Sequence, residues 1–352
     1  MRKRSPCIAI EARSAEDARR LLLEEGLLDK SLKIDRDVGR GLVYLPVVCT
    51  ELAVRLVKEK LGVDASICSR EFSKRMVWTR ELLVKGALEE GGLPRHSYLL
   101  VGDIVVFNAK NAEEVERLRQ TARVLSQAFP HFKAFYAKLL TEGEERVAKL
   151  VHLHGEYKTR TLVKEYGVGL WVDIARAYYN PRLAEEHYKI STLVSNGERV
   201  LDMFTGVGGF CLQILARKKA IVYCNDINRE AIRLLHESLA YNFNRLKGRV
   251  VVLNCDAKLL PEVLSKSSFD RIIMNHPTKW LEFIGVAKEL VKCGGTIHLY
   301  ALLEKREASK SEISKLMGEG FEVKRVEEVL EYSPKRSVFR ADLLYCKDGQ
   351  ER

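Results

Sequence analysis

The sequence lacks several features that would assign it to a simple class. Its 352 residues include 8 cysteines, but no two have the C-x-x-C spacing that zinc ribbons use. No stretch approaches the ~20 apolar residues of a membrane-spanning helix, and no internal repeat is visible. The basic start of the chain is not followed by a long apolar core, so we expect no signal peptide. These absences predict a cytoplasmic globular protein whose cysteines are free thiols.

Composition fits an ordered protein with a basic surface. Hydrophobic residues make up 46% and charged residues 30%, and the length suits two or three domains. The net charge is +11, and the excess is spread along the whole chain rather than held in a tail. Such a field suits an extended anionic partner such as folded RNA. Ordinary solubility charge would look the same, so composition leaves both interpretations open.

The C-terminal half alternates between strand and helix patterns, which predicts βαβ units and a parallel sheet. Two final strands joined by a short turn predict an antiparallel pair at its end. The strands are predicted at 199–204, 220–226, 250–256, 269–275, 295–303, 321–329 and 338–346, with helices at 230–242 and 279–292. This order resembles the class I methyltransferases that use S-adenosyl-L-methionine.

The N-terminal half predicts smaller α+β units. Helices are predicted within 11–30, at 51–61 and at 111–128, and strands at 42–48, 99–107, 149–153 and 169–173. We therefore expect an α/β protein: a class I (Rossmann-like) methyltransferase domain with a C-terminal antiparallel hairpin, preceded by two small α+β domains. The predicted boundaries are 1–68, 69–175 and 176–352.

A glycine-rich loop directly follows the first predicted strand of the parallel sheet. Glycines at 206, 208 and 209 would let backbone N–H groups approach a ligand at a helix N-terminus. Dinucleotide enzymes use a similar loop, but their G-x-G-x-x-G pattern requires glycine where this chain has Cys211. Asp202 precedes the loop, where a carboxylate can meet a charged amino acid group. The loop therefore favours S-adenosylmethionine.

Polar residues end the next three strands as well. Asp226 lies about 20 positions beyond the glycines, where an acid can accept both ribose hydroxyls. Asp256 is placed to hold an adenine amino group, and Asn275 ends the fourth strand. A lone aspartate at a strand end is commonly a helix N-cap. Four polar strand ends in succession indicate a ligand site at the carboxyl edge of the sheet.

The loop Asn275-His-Pro-Thr278 resembles the Asn-Pro-Pro-Tyr loop of methyltransferases that modify exocyclic amines. In those enzymes the asparagine grips the amino group and the aromatic residue stacks on the base. Here Thr278 replaces the aromatic residue, although Trp280 is close in sequence. A plain strand-to-helix turn would also explain the pattern.

Four segments together resemble the archaeal and eukaryotic tRNA (guanine-37-N1)-methyltransferases. They are Gly143-Glu-Glu-Arg146, Tyr178-x-x-Pro-Arg-Leu-x-x-Glu186, Asp202-Met-Phe-Thr-Gly-Val-Gly-Gly-Phe210 and Asn275-x-Pro277. The order matches the family, and the resemblance covers about residues 140–346. The chain departs from the family's pattern at Glu145, His187, Thr205, Gly209 and the His-Pro-Thr part of the last loop.

The resemblance implies a chemistry that these side chains can perform. Guanine N1 carries a proton at neutral pH, so Glu186 would be the general base, and Arg146 would stabilise the charge that develops on O6. Asn275 would position the base, and S-adenosyl-L-methionine would be the cofactor, with no metal. The remaining cofactor-binding positions implied are Tyr178, Arg182, His187, Asp202, Phe204, Gly206, Val207, Gly208, Asp226, Ile227, Asp256, Ala257, Asn275 and Pro277.

The family's partner is tRNA, contacted at the anticodon loop and, through the N-terminal domain, at the outer corner. We expect a monomer. Three alternatives remain open from the sequence: transfer of a 3-amino-3-carboxypropyl group in wyosine synthesis, methylation of an exocyclic amine of RNA, and an RNA-binding module that retains only the fold. The first is expected to lack Asn-x-Pro, the second does not need Glu186, and the third would not bind the cofactor.

Overall fold

The computed structural model describes residues 2–29, 32–37, 39–73, 97–140, 148–317 and 320–345. The chain divides into two compact units, Met1–Gly86 and Ala87–Arg352. The predicted division into three domains stays a prediction. None of the helices in these ranges is long and apolar enough to cross a membrane.

The first unit is a four-stranded antiparallel sheet in the order β2-β3-β1-β4, with two helices whose apolar residues share one core. Its elements are β1 (Arg2–Glu11), α1 (Ala15–Glu24), β2 (Asp35–Asp37), β3 (Leu42–Pro46), α2 (Thr50–Leu61) and β4 (Ser66–Ser73). The sequence indicated α1, β3 and α2. The strands β1 and β4 were missed because charged and polar residues interrupt their apolar pattern.

The second unit begins with a mixed sheet of four strands in the order β5-β6-β7-β8, in which only β6 and β7 are parallel. Its elements are β5 (Tyr98–Val101), β6 (Ile104–Ala109), α3 (Ala112–Ala128), β7 (Ala134–Leu140) and β8 (Ala148–Gly155). The single strand predicted over 99–107 is wrong. Gly102 adopts a left-handed φ of 59° and reverses the chain, so Val101 pairs with Ile104 in a hairpin.

A second hairpin, β9 (Arg160–Glu165) and β10 (Val168–Asp173), packs against the large domain that follows it. The backbone N–H of Gly169 donates to Asn242 Oδ1 at 3.0 Å, and that of Trp171 donates to Ser238 Oγ at 2.8 Å. These side-chain acceptors pair backbone groups that face away from the partner strand, as buried N–H groups require.

The large domain has a seven-stranded sheet in the order β13-β12-β11-β14-β15-β17-β16. All pairings from β13 to β15 are parallel, and β17 is antiparallel to both β15 and β16. Its elements are α4 (Ala184–Leu193), β11 (Arg199–Asp202), α5 (Gly209–Arg217), β12 (Ile221–Asn225), α6 (Arg229–Tyr241), β13 (Arg249–Leu253), α7 (Leu260–Val263), β14 (Phe269–Met274), α8 (Ile284–Leu290), β15 (Val291–Glu304), α9 (Lys310–Met317), β16 (Phe321–Glu331) and β17 (Arg336–Tyr345).

Helices cover both faces of this sheet, as a buried parallel sheet needs. One apolar core includes residues of α4, α5 and α6, and a second includes residues of α7, α8 and α9. The predicted helix over 279–292 is shorter than expected, because a 3-10 turn precedes α8 and β15 already begins at Val291. The predicted α/β fold with its C-terminal hairpin is confirmed.

Four cysteines correct the expectation of free thiols. Cys7 of β1 is bonded to Cys68, its cross-strand partner on β4, with Cα atoms 5.0 Å apart. Cys211 of α5 is bonded to Cys224 of β12, with Cα atoms 6.5 Å apart. Both separations lie within the range that disulfides span. Sequence spacing gave no signal, because each pair is brought together by sheet or helix packing.

We therefore expect these four cysteines of the denatured, non-reduced protein to resist alkylation until a reductant is added. Tryptic mass spectrometry with two isotopically distinct alkylating agents, applied before and after reduction, measures this directly. Cys49, Cys255 and Cys293, which are unpaired, should carry the first label. First-label modification of Cys211 and Cys224 in the oxidised protein would instead restore the free-thiol interpretation.

Candidate active site

The carboxyl ends of β11, β12, β13 and β14 lie together along one edge of the sheet. Asp202 ends β11 beside Cys224, and Asn225 ends β12 beside Leu253, with all these strands parallel. Open α/β sheets bind ligands at this edge. The structure therefore brings together the polar strand ends on which the cofactor prediction depends.

The glycine loop after β11 is shaped by close packing. Gly208 has a left-handed φ of 97°, and a Cβ atom there would lie 2.5 Å from Leu235 Cδ1. At Gly209, where α5 begins, a Cβ atom would overlap the imidazole ring of His187 on α4. Glycine is required at 208 because it tolerates positive φ and has no side chain, and at 209 because no side chain would fit against the His187 ring. The loop thus sets the N-terminus of α5 directly against α4.

Asp202 is a fully buried carboxylate whose two oxygens have no hydrogen-bond partner in the described structure. Burial raises its pKa to about 7, and the negative charge of Asp226 adds to the increase. The Thr205 hydroxyl and the Phe204 backbone amide oppose the increase without completing hydrogen bonds to it. Thr205 Oγ1 is likewise buried and unpaired among these residues. Unsatisfied buried polar groups of this kind indicate a missing ligand partner.

Asp226 fastens the glycine loop to the second strand. Its Oδ2 accepts from the Gly206 backbone N–H at 2.8 Å, and its Oδ1 accepts from that of Asn228 at 2.8 Å. Each carboxylate oxygen can accept a further hydrogen bond, so Asp226 can still receive ribose hydroxyls. Ile227 beside it is 70% exposed, and an apolar side chain left in solvent at this edge suits one face of an adenine ring.

Asp256 caps the short 3-10 turn that follows β13, because its Oδ1 accepts from the Lys258 backbone N–H at 2.9 Å. The N-cap role considered from the sequence is therefore real, and it leaves Oδ2 for an adenine amino group. Ala257, the next residue, is buried. Phe204 is half-buried and packs edge-on against Phe283, with the two ring centroids 4.8 Å apart.

The fourth strand end is held by neighbouring groups. The Pro277 carbonyl accepts from the Leu302 backbone N–H at 2.9 Å, and the His276 ring contacts Phe204 at 5.1 Å. Burial lowers the pKa of His276, which favours a neutral ring. Trp280 is buried in the core, so it does not replace the missing stacking aromatic. Asn275 is half-buried beside this loop, and within the described ranges its side chain makes no hydrogen bond.

Glu186 lies in the first turn of α4, only 7% exposed. Tyr300 Oη donates to its Oε1 at 2.8 Å, and Arg340 forms a buried ion pair with the same oxygen. Ring contacts connect Glu186 to the glycine loop. The ring centroids of Tyr300 and Phe210 are 5.5 Å apart, and those of Phe210 and His187 are 4.5 Å apart. Phe210 immediately follows the glycines, so the candidate base lies close to the cofactor loop.

His187 is fixed rather than free. Its Nδ1 lies 2.8 Å from Glu165 Oε2, and Tyr179 Oη donates to the other Glu165 oxygen at 2.6 Å. Gln213 of α5 donates to the Glu165 backbone carbonyl at 2.8 Å. Glu165 of β9 thus connects α4 and α5 and fixes their contact below the glycine loop.

A cleft of about 380 Å³ lies beside this region. Its lining combines the mixed sheet with the segment before α4, and includes Lys138, Ile174, Tyr178 and Asn180. Tyr178 is 71% exposed there, which leaves its ring available to a base. The lining does not include Glu186 or Asn275.

Three further predicted residues lie away from this cleft lining or outside the described residues. Arg182 is exposed, Val207 is buried, and Arg146 lies outside the described residues.

Several important residues were missed by sequence reasoning. Asn225 joins three strand ends: its Nδ2 donates to the Met203 and Cys255 carbonyls, and its Oδ1 accepts from the Cys255 backbone N–H. Its position next to Asp226 was a usable signal. Arg340 was also detectable, since a charged residue within the apolar run Val338–Leu344 indicates a buried partner.

The residues present fit S-adenosyl-L-methionine. Asp202 offers an unpaired buried carboxylate to a cation, Asp226 keeps lone pairs for ribose, and the glycine loop leaves room for backbone approach. No group of three or more His, Cys, Asp or Glu residues suited to a metal ion is found in the described ranges.

Comparisons with known proteins agree with this geometry. Residues 161–326 match the TRM5/TYW2 methyltransferase domain, and residues 7–49 match the tRNA methyltransferase 5 N-terminal domain. The tRNA (guanine(37)-N(1))-methyltransferase Trm5b of Methanocaldococcus jannaschii is 33% identical over 302 residues, which are 84% of this chain and 86% of that protein. The chain belongs to this family of tRNA (guanine-37-N1)-methyltransferases.

Two further relatives bear on the family's substrates. The protein in a solved complex structure of aTrm5 and tRNALeu is 30% identical, and the match covers 96% of this chain and 99% of that one with a TM-score of 0.63. The tRNA 4-demethylwyosine(37)-methyltransferase Taw21 of Saccharolobus solfataricus is 29% identical over 58% of this chain. Membership of the family confirms that this chain is a methyltransferase and confirms S-adenosyl-L-methionine as its cofactor.

The state of Asp202 predicts that cofactor affinity depends on pH. Only the ionised carboxylate attracts the cationic amino acid group of the cofactor, so affinity should increase as the pH rises through about 7. Near pH 6.5, binding should release a proton from the protein. Isothermal titration calorimetry in two buffers with different ionisation enthalpies measures that proton. No release, or no pH dependence, would contradict this role for Asp202.

Ionisation of Asp202 should lower the stability of the folded, cofactor-free protein, whereas it should raise the affinity for the cofactor. The pKa of Asp202 is higher in the folded than in the unfolded chain, so stability is lost as the pH rises from about 4 to about 7. Asp202→Asn should therefore stabilise the cofactor-free protein at pH 8, by about 1–3 kcal/mol, while weakening cofactor binding. Denaturant unfolding of both proteins at pH 8 and pH 5 provides the check.

Proposed function

We propose that this protein transfers the methyl group of S-adenosyl-L-methionine to N1 of guanosine 37 of tRNA, immediately 3′ of the anticodon. The observation that carries the proposal is the position of Glu186, a buried carboxylate next to the cofactor loop. The chain is also similar to Trm5b of Methanocaldococcus jannaschii over 84% of its length. A base is what N1 methylation needs and what amine methylation does not.

In the proposed reaction Glu186 removes the proton from guanine N1 and so exposes the lone pair that accepts the methyl group. S-adenosyl-L-methionine supplies an activated methyl group, which leaves its sulfonium. Asp202, Asp226 and Asp256 hold the cofactor at the sheet edge, and Asn275 with Pro277 positions the guanine beside it. Arg146 stabilises the negative charge on O6, a role that rests on the sequence match alone.

The exposed Tyr178 and the adjoining cleft favour a flipped nucleotide as the substrate. A base must leave its stack for an enzyme to reach an atom of its pairing edge, and an exposed aromatic ring can receive it. Lys138 in the lining supplies a positive charge for the phosphate backbone. In the first unit Lys33, Arg36 and Arg40 are exposed, and they would supply positive charge to the outer corner of tRNA that the family contacts through its N-terminal domain.

Transfer of the 3-amino-3-carboxypropyl group is the second candidate, because the matched family description covers both TRM5 and TYW2. Asn275 and Pro277 favour methyl transfer over it. Methylation of an exocyclic amine is disfavoured, since Trp280 is buried and residues 275–278 include no Phe, Tyr or Trp.

Mass-spectrometric mapping of the product distinguishes these reactions. We expect an unmodified tRNA transcript with guanosine at position 37 to gain one methyl group on N1, whereas a transcript with adenosine there should gain none. The donor should be labelled separately in its methyl and its aminocarboxypropyl carbons. Transfer of the longer chain, or a methyl group on an exocyclic nitrogen, would replace the proposed reaction by one of the alternatives.

Glu186→Gln should lower the single-turnover rate of methylation by about 10²–10⁴-fold, the usual contribution of a general base, while cofactor binding persists. Glu185→Gln is the matched control, because the neighbouring carboxylate is exposed on the same helical turn. Rapid-quench assays of both variants give the comparison. If Glu186→Gln reacted at the wild-type rate, the base would have to be another group.

A further inference from the structure

The guanidinium of Arg340 on β17 is fully buried. Arg340 is the largest of the fully buried side chains in the described structure. It pairs with three carboxylates: with Glu186, with Asp342 at 2.9 Å through Nε, and with Glu327 at 2.6 Å through Nη2. Burial opposes its charge, but Glu186 and Asp342 outweigh that effect and raise the pKa of Arg340. The side chain is therefore a fixed cation.

The cluster continues beyond Arg340 along the same face of the sheet. Asp342 Oδ1 lies 2.6 Å from His298 Nδ1, and His298 Nε2 lies 2.6 Å from Arg271. Burial raises the pKa of Asp342, yet His298 and Arg340 together hold it below the ordinary value. Arg271 in turn contacts both oxygens of Glu198, at 2.8 and 3.2 Å. Burial lowers the pKa of His298, so its ring is a polar link between Arg271 and Asp342. The charged side chains on either side of it alternate in sign from Glu198 to Glu186.

Strand register explains why two donors reach Glu186 together. Tyr300 of β15 and Arg340 of β17 are direct cross-strand partners, so their side chains share one face of the sheet. Both use Oε1 of Glu186. Within the described ranges no side chain or backbone group donates to Oε2. The carboxylate is held by one oxygen, and the other oxygen remains available.

A buried cluster of charges is not the most stable way to fill a protein core. Replacing buried ion pairs by apolar side chains is often neutral or stabilising, whereas removing one partner is costly. In this protein the cluster ends on Glu186, the carboxylate that the proposed reaction uses as its base. We propose that Tyr300 and Arg340 are positioning residues, which hold Glu186 by Oε1 and orient it so that Oε2 takes the guanine N1 proton. This inference rests on the proposed function.

Tyr300→Phe tests it with little change in shape. Loss of one hydrogen bond to a charged group should slow single-turnover methylation of guanosine 37 by about 10-fold at saturating tRNA and cofactor, while both dissociation constants stay within about twofold. Tyr223→Phe is the matched control. It removes a hydroxyl that accepts from Arg199 at 3.0 Å in the same sheet, and its rate should be unchanged.

A double-mutant cycle separates positioning from general packing. In a Glu186→Gln background, Tyr300→Phe should produce no further loss of rate, because the group it positions is gone. Equal fractional losses in both backgrounds, or a wild-type rate for Tyr300→Phe alone, would overturn the inference while leaving the proposed function intact. If the wild-type protein itself formed no N1-methylguanosine, the proposed function would fail and this inference with it.

Arg340 is tested by a conservative change, because its removal would leave buried carboxylates unpaired. Arg340→Lys keeps the charge but not the fork that reaches three partners, so it should slow methylation with little change in tRNA or cofactor affinity. Glu327→Gln weakens another contact of Arg340 without touching Glu186, and it should keep the wild-type rate. Equal losses in these two variants would assign Arg340 a structural role only.

Discussion

The contact between Gly209 and the His187 ring is the constraint on which the site depends. It allows α4 and α5 to meet without a side chain between them, and Glu165 secures it from below through His187, Tyr179 and Gln213. Because α5 begins where the cofactor loop ends, the contact sets the loop beside the helix that carries Glu186. In the proposed reaction the methyl donor and the proton acceptor therefore lie on adjoining elements, which is the arrangement that catalysis by proximity requires.

The sequence predicted the large domain well because its information is local. Buried parallel strands are short apolar runs, and the helices between them repeat with a clear period, so β11 to β14 were placed within a few residues. The smaller units were less predictable. The strands β7 and β9 were missed. The hairpin at Gly102 was predicted as one strand, because a continuous run of apolar residues does not reveal a chain reversal that depends on a single backbone torsion.

The meeting of the polar strand ends was predictable for the same reason, since the carboxyl ends of parallel strands lie at one edge of a sheet. The surroundings of Glu186 were not. Tyr300 and Arg340 are separated from it by 114 and 154 residues, and only the pairing of β15 with β17 brings them together. No spacing in the chain encodes that register. Arg340 gave a signal that something charged was buried, but not which carboxylate it would meet.

In the proposed function, two buried acids of one fold, Asp202 and Glu186, have different tasks. Asp202 has no donor within the described structure, so its charge is costly, and a bound cation would relieve that cost. Glu186 is instead paired with a fixed cation that is itself balanced by Asp342 and Glu327. Its charge is compensated before any ligand binds. A ligand-binding carboxylate benefits from being left unsatisfied, whereas a carboxylate that must be ready to accept a proton benefits from partners that leave one oxygen free.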